Sequence, residues 1–143
     1  MKRMISLFAI TIALAVSASA APVKLIMHLA SIPIIDGAGI YSSINFIQHG
    51  DLVATKALGV TSISLLAVNG GLGVLKMAGP DDWKPQVRHF HRIVGFVVTV
   101  AAVSMSVSAS LDKGLDNNTG KIGRYVSYGY SALTVVPLVI FSF

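Results

Sequence analysis

Few residues in this chain have the capacity for chemistry, and four of them stand together. The stretch Arg88-His89-Phe90-His91-Arg92-Ile93-Val94-Gly95 puts two imidazoles and two guanidiniums where a charged loop passes into a long apolar run. Imidazole nitrogen binds transition metals and carries protons near neutral pH. Guanidinium pairs with carboxylates. The other histidines are His28 and His49, and the chain has no cysteine. That excludes disulfides, iron–sulfur clusters, thiolate zinc sites and c-type haem attachment. There is no H-E-x-x-H, no nucleophile elbow and no phosphate loop.

Spacing narrows the choice. His89 and His91 are two apart, about 200° around a helix, so only one can face a given partner. His91 is the better candidate, because Gly95 follows one turn on and leaves room for a flat group against the backbone. Arg88, Arg92 and Lys24 are expected at the same level, where they could meet carboxylates. His28 and His49 are separated by about 31 Å of helix, a full membrane thickness. Of the carboxylates, all aspartates, Asp36 alone is expected to be buried.

The elements that must position these groups are apolar helices. The chain has 143 residues, a 54% hydrophobic fraction and only 12% charged residues, with a mean hydropathy of +0.75. Soluble domains carry about 25% charged residues. The composition therefore predicts an all-α integral membrane protein. The net charge of +5 suits anionic headgroups. It forms no basic run or helix face of the kind that binds nucleic acid.

Residues 1–20 have the layout of a secretory signal, with Lys2 and Arg3 ahead of an apolar core and Ala18-Ser19-Ala20 as a cleavage site. An uncleaved anchor helix is the alternative. Residues 21–143 are expected to form one four-helix transmembrane domain. Segment A covers about 24–48, with a kink expected at Pro33. Segment B covers about 55–77, with glycines for close packing. Segment C covers about 87–111, and segment D about 122–143, with Tyr125, Tyr128 and Tyr130 as an interfacial belt and a kink expected at Pro137. Trp83 suits the headgroup level. Alternating crossings place His28, His89 and His91 at one face and His49 at the other. A and C, two apart in the chain, can then sit diagonally across a bundle core. The count of Lys and Arg does not fix the absolute orientation.

Taken together, His28 early in A, Lys56-Ala57-Leu58-Gly59 opening B, Gly70-Gly71 late in B and His91-Arg92-Ile93-Val94-Gly95 opening C resemble the cytochrome b561-type superfamily, in particular a four-helix branch found in phototrophs. The likeness spans about residues 24–143. It implies a four-helix core in which A–C and B–D histidine pairs hold haems at opposite faces. This chain departs at two places. Lys56 stands where B usually shows histidine, and D has no histidine. The resemblance thus implies one haem b, ligated by His28 and His91 with Gly95 and Arg92 beside it, near the outer, periplasmic or lumenal face of a bacterial inner membrane or thylakoid-type membrane.

Two functions remain open on the sequence. One is a single-haem electron-transfer protein exchanging electrons with a quinol or a redox protein, rather than a catalyst with its own substrate site. The other is a non-haem accessory subunit of a larger membrane complex, favoured by the missing B–D ligands. Histidines at helix ends also occur with no metal. A transporter rests on Asp36 alone.

Overall fold

The computed structural model describes residues 21–141. The signal or anchor expected at residues 1–20 lies outside them. Four long helices fill the described chain: α1 (Ala21–His49), α2 (Val53–Ala78), α3 (Lys84–Leu111) and α4 (Asn118–Phe141), with a 3-10 turn at Lys113–Asp116 between the last two. Each has 24 to 29 residues. The helical assignment runs unbroken through Pro33 of α1 and Pro137 of α4.

Helix ends follow local chemistry. Pro85 sits in the first turn of α3, where its missing N–H costs nothing. Asn117 Oδ1 accepts the Gly120 amide at 2.7 Å and starts α4. Both helices therefore begin a few residues before their apolar runs do.

Each helix packs on its neighbours in the chain, and α1 also packs on α4, so the four form a closed square. The pairs α1–α3 and α2–α4 lie across its diagonals. Antiparallel register is kept from end to end between α2 and α3, from Gly73 beside His91 to Thr55 bonded to Ser108 at 2.8 Å.

Among the described residues, two helices, α2 and α3, are long and apolar enough by length and composition to cross a membrane. In α1 the hydropathy is lowered by Asp36, Pro33, two glycines and three serines. In α4 it is lowered by Arg124 and a run of serine and tyrosine.

Polarity is distributed from inside to outside in reverse of a soluble bundle. Ser42, Ser43, Asn45, Thr55, Ser62, Thr99, Ser108, Ser127 and Thr134 are buried, whereas Ile34, Val53, Val60, Val74, Phe96 and Val107 are more than half exposed. The interior hydroxyls bond between helices. Ser106 reaches Ser131 at 2.5 Å, Ser131 donates to the Ala102 carbonyl at 2.7 Å, and Asn45 donates to the Thr119 carbonyl at 3.0 Å. Of the alternating serines of α3, Ser106, Ser108 and Ser110 bond to other helices, while Ser104 returns to the Val100 carbonyl of its own turn.

Small residues let backbones approach at particular points. A Cβ on Gly59 would stand 2.8 Å from the Ser43 carbonyl oxygen, whereas one on Gly70 or Gly71 would meet nothing within 4 Å. Of the expected packing glycines in segment B, Gly59 has that role and Gly70 and Gly71 do not. Tyr130 also departs from expectation. It is fully buried among Leu66, Val98 and Ala102, so the expected tyrosine belt is left with the exposed Tyr125 and the part-exposed Tyr128.

Candidate functional site: a histidine pair across the bundle diagonal

His28 on α1 and His91 on α3 meet at one end of the bundle. Their ring centroids are 6.2 Å apart and the ring planes cross at 75°. Both are half-buried. They come together because α1 and α3 run parallel across the diagonal at a constant offset, which also brings Ser43 to Met105 Sδ at 3.7 Å further down.

A cavity of about 360 Å³ opens beside the pair. Its walls are mostly apolar. His28, Leu29 and Ile32 come from α1, and Gly70, Gly73 and Val74 from α2. Asn69, Lys76 and His91 supply its polar edge. That size falls in the range of small-molecule and cofactor sites, roughly 300–1,000 Å³. A Cβ on Gly73 would lie 3.7 Å from His91 Cε1, so any larger side chain there would enter the space before the imidazole.

The His91 ring is held from one side by the Asn69 backbone, and its Nδ1 is buried with no hydrogen-bond partner. A metal-bound histidine usually gives its second ring nitrogen to a carbonyl or carboxylate, which fixes ring orientation. Lys76 lies at the cavity edge in the field of Arg88 and Arg92. The described ion pairs are Lys84–Asp81 and Arg124–Asp116, so these three cations have no carboxylate partner among the described residues. They leave the end of the bundle electropositive.

The other expected residues are placed as follows. Gly95 faces Asn69, with an added Cβ 3.9 Å from its Oδ1, and does not line the cavity. Arg92 is exposed beside the cavity and not in its wall. The Lys24 side chain lies outside the described residues. His89 is exposed and stacks edge-on with Phe90, centroids 6.1 Å apart. His49 ends α1 at the opposite end of the bundle. Lys76, Asn69 and Gly73 were not singled out from the sequence. Their signal was present but weak: one asparagine and one lysine in the second half of an apolar helix, with Lys76 seven residues after Asn69, on the same face.

The opposite end is closed. Phe46, Met105, Ala109 and Leu115 fill its core. Asp112, only 1% exposed, ties the two turns there together. It replaces Asp36, which is half-buried, as the most deeply buried carboxylate of the described chain.

Comparison with protein-family models, curated proteins and solved structures gives no match. Among the described residues, no group of three or more His or Asp could hold a metal ion. The histidine pair could offer two ligands at most, and a metal there would need its remaining ligands from elsewhere.

Proposed function

We propose that this chain is a small integral membrane cytochrome, similar in plan to the b561-type proteins, in which His28 and His91 hold one haem b for electron transfer. The membrane setting is supported by the exposed apolar faces of all four helices over a hydroxyl-rich interior. A soluble monomer rarely shows a contiguous apolar patch above a few hundred Å², whereas membrane helices pack through small and hydroxyl residues. All four helices exceed the roughly 20 residues that a span requires.

The observation that carries the haem reading is the His28–His91 pair. Metal–imidazole bonds of about 2.0–2.1 Å place two rings that share one metal with centroids about 6 Å apart. The pair stands at 6.2 Å. Edge-on ring contacts also fall in this range. The buried Nδ1 of His91, the adjoining cavity and the glycines in its wall add to the fit. A haem would bring its own ring nitrogens as the further ligands that two histidines do not provide. When bound, haem b would supply a one-electron couple, and holding it by two imidazoles suits electron transfer rather than chemistry on a substrate.

The chain's own residues then do the rest. The α1 and α3 backbones fix the ligand rings. The Asn69 backbone orients His91. Leu29, Ile32 and Val74 exclude water, and Lys76, Arg88 and Arg92 provide charge for carboxylates at the rim. A quinol or redox protein in or at the same face of the membrane is the electron partner. The face is periplasmic or lumenal in a bacterial inner membrane or thylakoid-type membrane.

The closed end of the bundle favours a second reading. With Lys56 and no histidine on α4, and with Phe46, Met105 and Leu115 packed there, the frame of a two-haem wire is absent. The chain then serves as an accessory subunit of a larger membrane complex. A dithionite-reduced minus oxidised spectrum of detergent-purified protein, grown with haem available, separates the two. A low-spin b-type signal in the wild type, lost in both His28→Ala and His91→Ala, supports the cytochrome. A folded protein with no haem signal leaves the accessory reading.

A further inference from the structure

Asp36 lies two helical turns, about 12 Å, further along α1 from His28. It is half-buried. Its face is set by its neighbours. Gly39, one turn on, meets the Tyr130 ring so closely that a Cβ would stand 2.8 Å from Cε2, and Ile35 packs against the cluster containing Tyr130. Tyr130 is fully buried and lies in the field of the Asp36 carboxyl, with its hydroxyl 3.4 Å from Ser62 Oγ.

The cavity reaches toward this point. Its deepest α1 residue, Ile32, is one turn from Asp36 on the same face. Across from it on α2, Asn69 has a buried Oδ1 with no hydrogen-bond partner. That is an acceptor awaiting a donor such as a water or a protonated carboxyl.

No cation is available at this level. On α2, Lys56 and Lys76 are near the ends. On α3 there is no ionisable residue between Arg92 and Asp112. On α4, only tyrosines occur between Arg124 and the end of the described chain. An ionised carboxylate in apolar surroundings without a partner is costly, so such a group binds a proton or faces a path for one.

We propose that Asp36, with Tyr130, is a proton-binding site inside the bundle, reached through the cavity and coupled to the charge at the His28–His91 pair. The coupling rests on the haem reading. With haem bound, one electron from a quinol or redox protein would lower the positive charge held at the histidine pair by one, and one proton would pass from water to an Asp36 carboxylate oxygen. Oxidation would release both. At about 12 Å through apolar packing, salt does not screen the two charges from one another.

The test is infrared difference spectroscopy of the purified protein together with the pH dependence of the haem potential. In the wild type a protonated-carboxyl band grows on reduction, and the potential falls as pH rises. In Asp36→Asn the band is lost and the potential loses this pH dependence, while the b-type spectrum persists. Tyr130→Phe shifts the band without abolishing it, which guards against misfolding of the first variant. A pH-independent wild-type potential, or a band that survives Asp36→Asn, overturns the proposal. If no haem binds, the haem reading fails separately. A pH-titrating band in the haem-free protein that Asp36→Asn removes still supports the proton site, and its absence overturns it.

Discussion

Asp112 Oδ2 accepts the Leu52 amide at 3.1 Å, across 60 residues of sequence. Oδ1 of the same carboxylate accepts the Asp51 amide at 3.1 Å and the Gly114 amide at 2.9 Å. The residue that ends α3 therefore caps the start of α2. Arg124 adds a bond to the Asp112 carbonyl at 2.7 Å. Both turns at the closed end of the bundle are held through this one side chain.

The first prediction concerns acid stability. Burial pushes the Asp112 carboxyl up, but the Thr55 hydroxyl and the Asp51, Leu52 and Gly114 amides outweigh it and hold the group below its ordinary range. A carboxyl lowered by folding stabilises the folded state above its unfolded pKa of about 3.9 and loses that contribution as pH falls through the lower, folded value. Thermal unfolding in detergent should therefore show an acid-dependent loss below about pH 4 that Asp112→Asn reduces. At neutral pH the variant should be about 1–3 kcal/mol less stable. An unchanged acid limb in Asp112→Asn would contradict the capping role.

The second prediction separates two kinds of glycine. A Cβ on Gly39 would press on the Tyr130 ring and on Leu66 Cδ1, at 2.7–2.8 Å. Both neighbours are buried, so they yield only by disturbing the core. Gly39→Ala should cost about 1–3 kcal/mol as overpacking. Gly71→Ala, with nothing within 4 Å of its added carbon, should be neutral or slightly stabilising. Equal melting temperatures for the two variants would mean that the α1–α4 contact is looser than described.

The sequence carried the helices well, because each is a long apolar run bounded by turn chemistry and such runs need no tertiary information. It also carried the approach of His28 and His91, since alternating antiparallel helices fix which ends coincide. It did not carry Asp112, whose amide donors come from the α1–α2 turn and cannot be read from neighbours in the chain. Tyr130 was misplaced because three tyrosines near a helix end look interfacial by composition. Rotation about the axis, set by packing on α1, decides which of them turns inward. Lys76 and Gly73 were missed for the same reason. Facing a cavity is a property of rotation and register together.

The third prediction rests on the haem reading and on charge. Lys76 stands at the cavity edge with Arg88 and Arg92 nearby. A fixed positive charge favours the reduced, less positive iron. Lys76→Met should lower the midpoint potential in a redox titration followed by absorbance. A potential that rises or stays constant would place Lys76 outside the field of the iron.

The fourth prediction also rests on the haem reading and asks whether the cavity is where the haem would bind. Gly73 lies in its wall, and its Cβ position faces the His91 ring at 3.7 Å. Gly71 is not in that wall, and its Cβ position is open. Leucine at either position adds the same apolar volume and the same gain in helix propensity over glycine. Only Gly73→Leu puts that volume between the α2 backbone and the imidazole. The haem content of Gly73→Leu, measured per mole of folded protein, should fall severalfold while that of Gly71→Leu matches the wild type. Equal haem content in both would move the binding site to the α4 side of the histidine pair, because a flat group between α1 and α3 has only those two sides on which to extend.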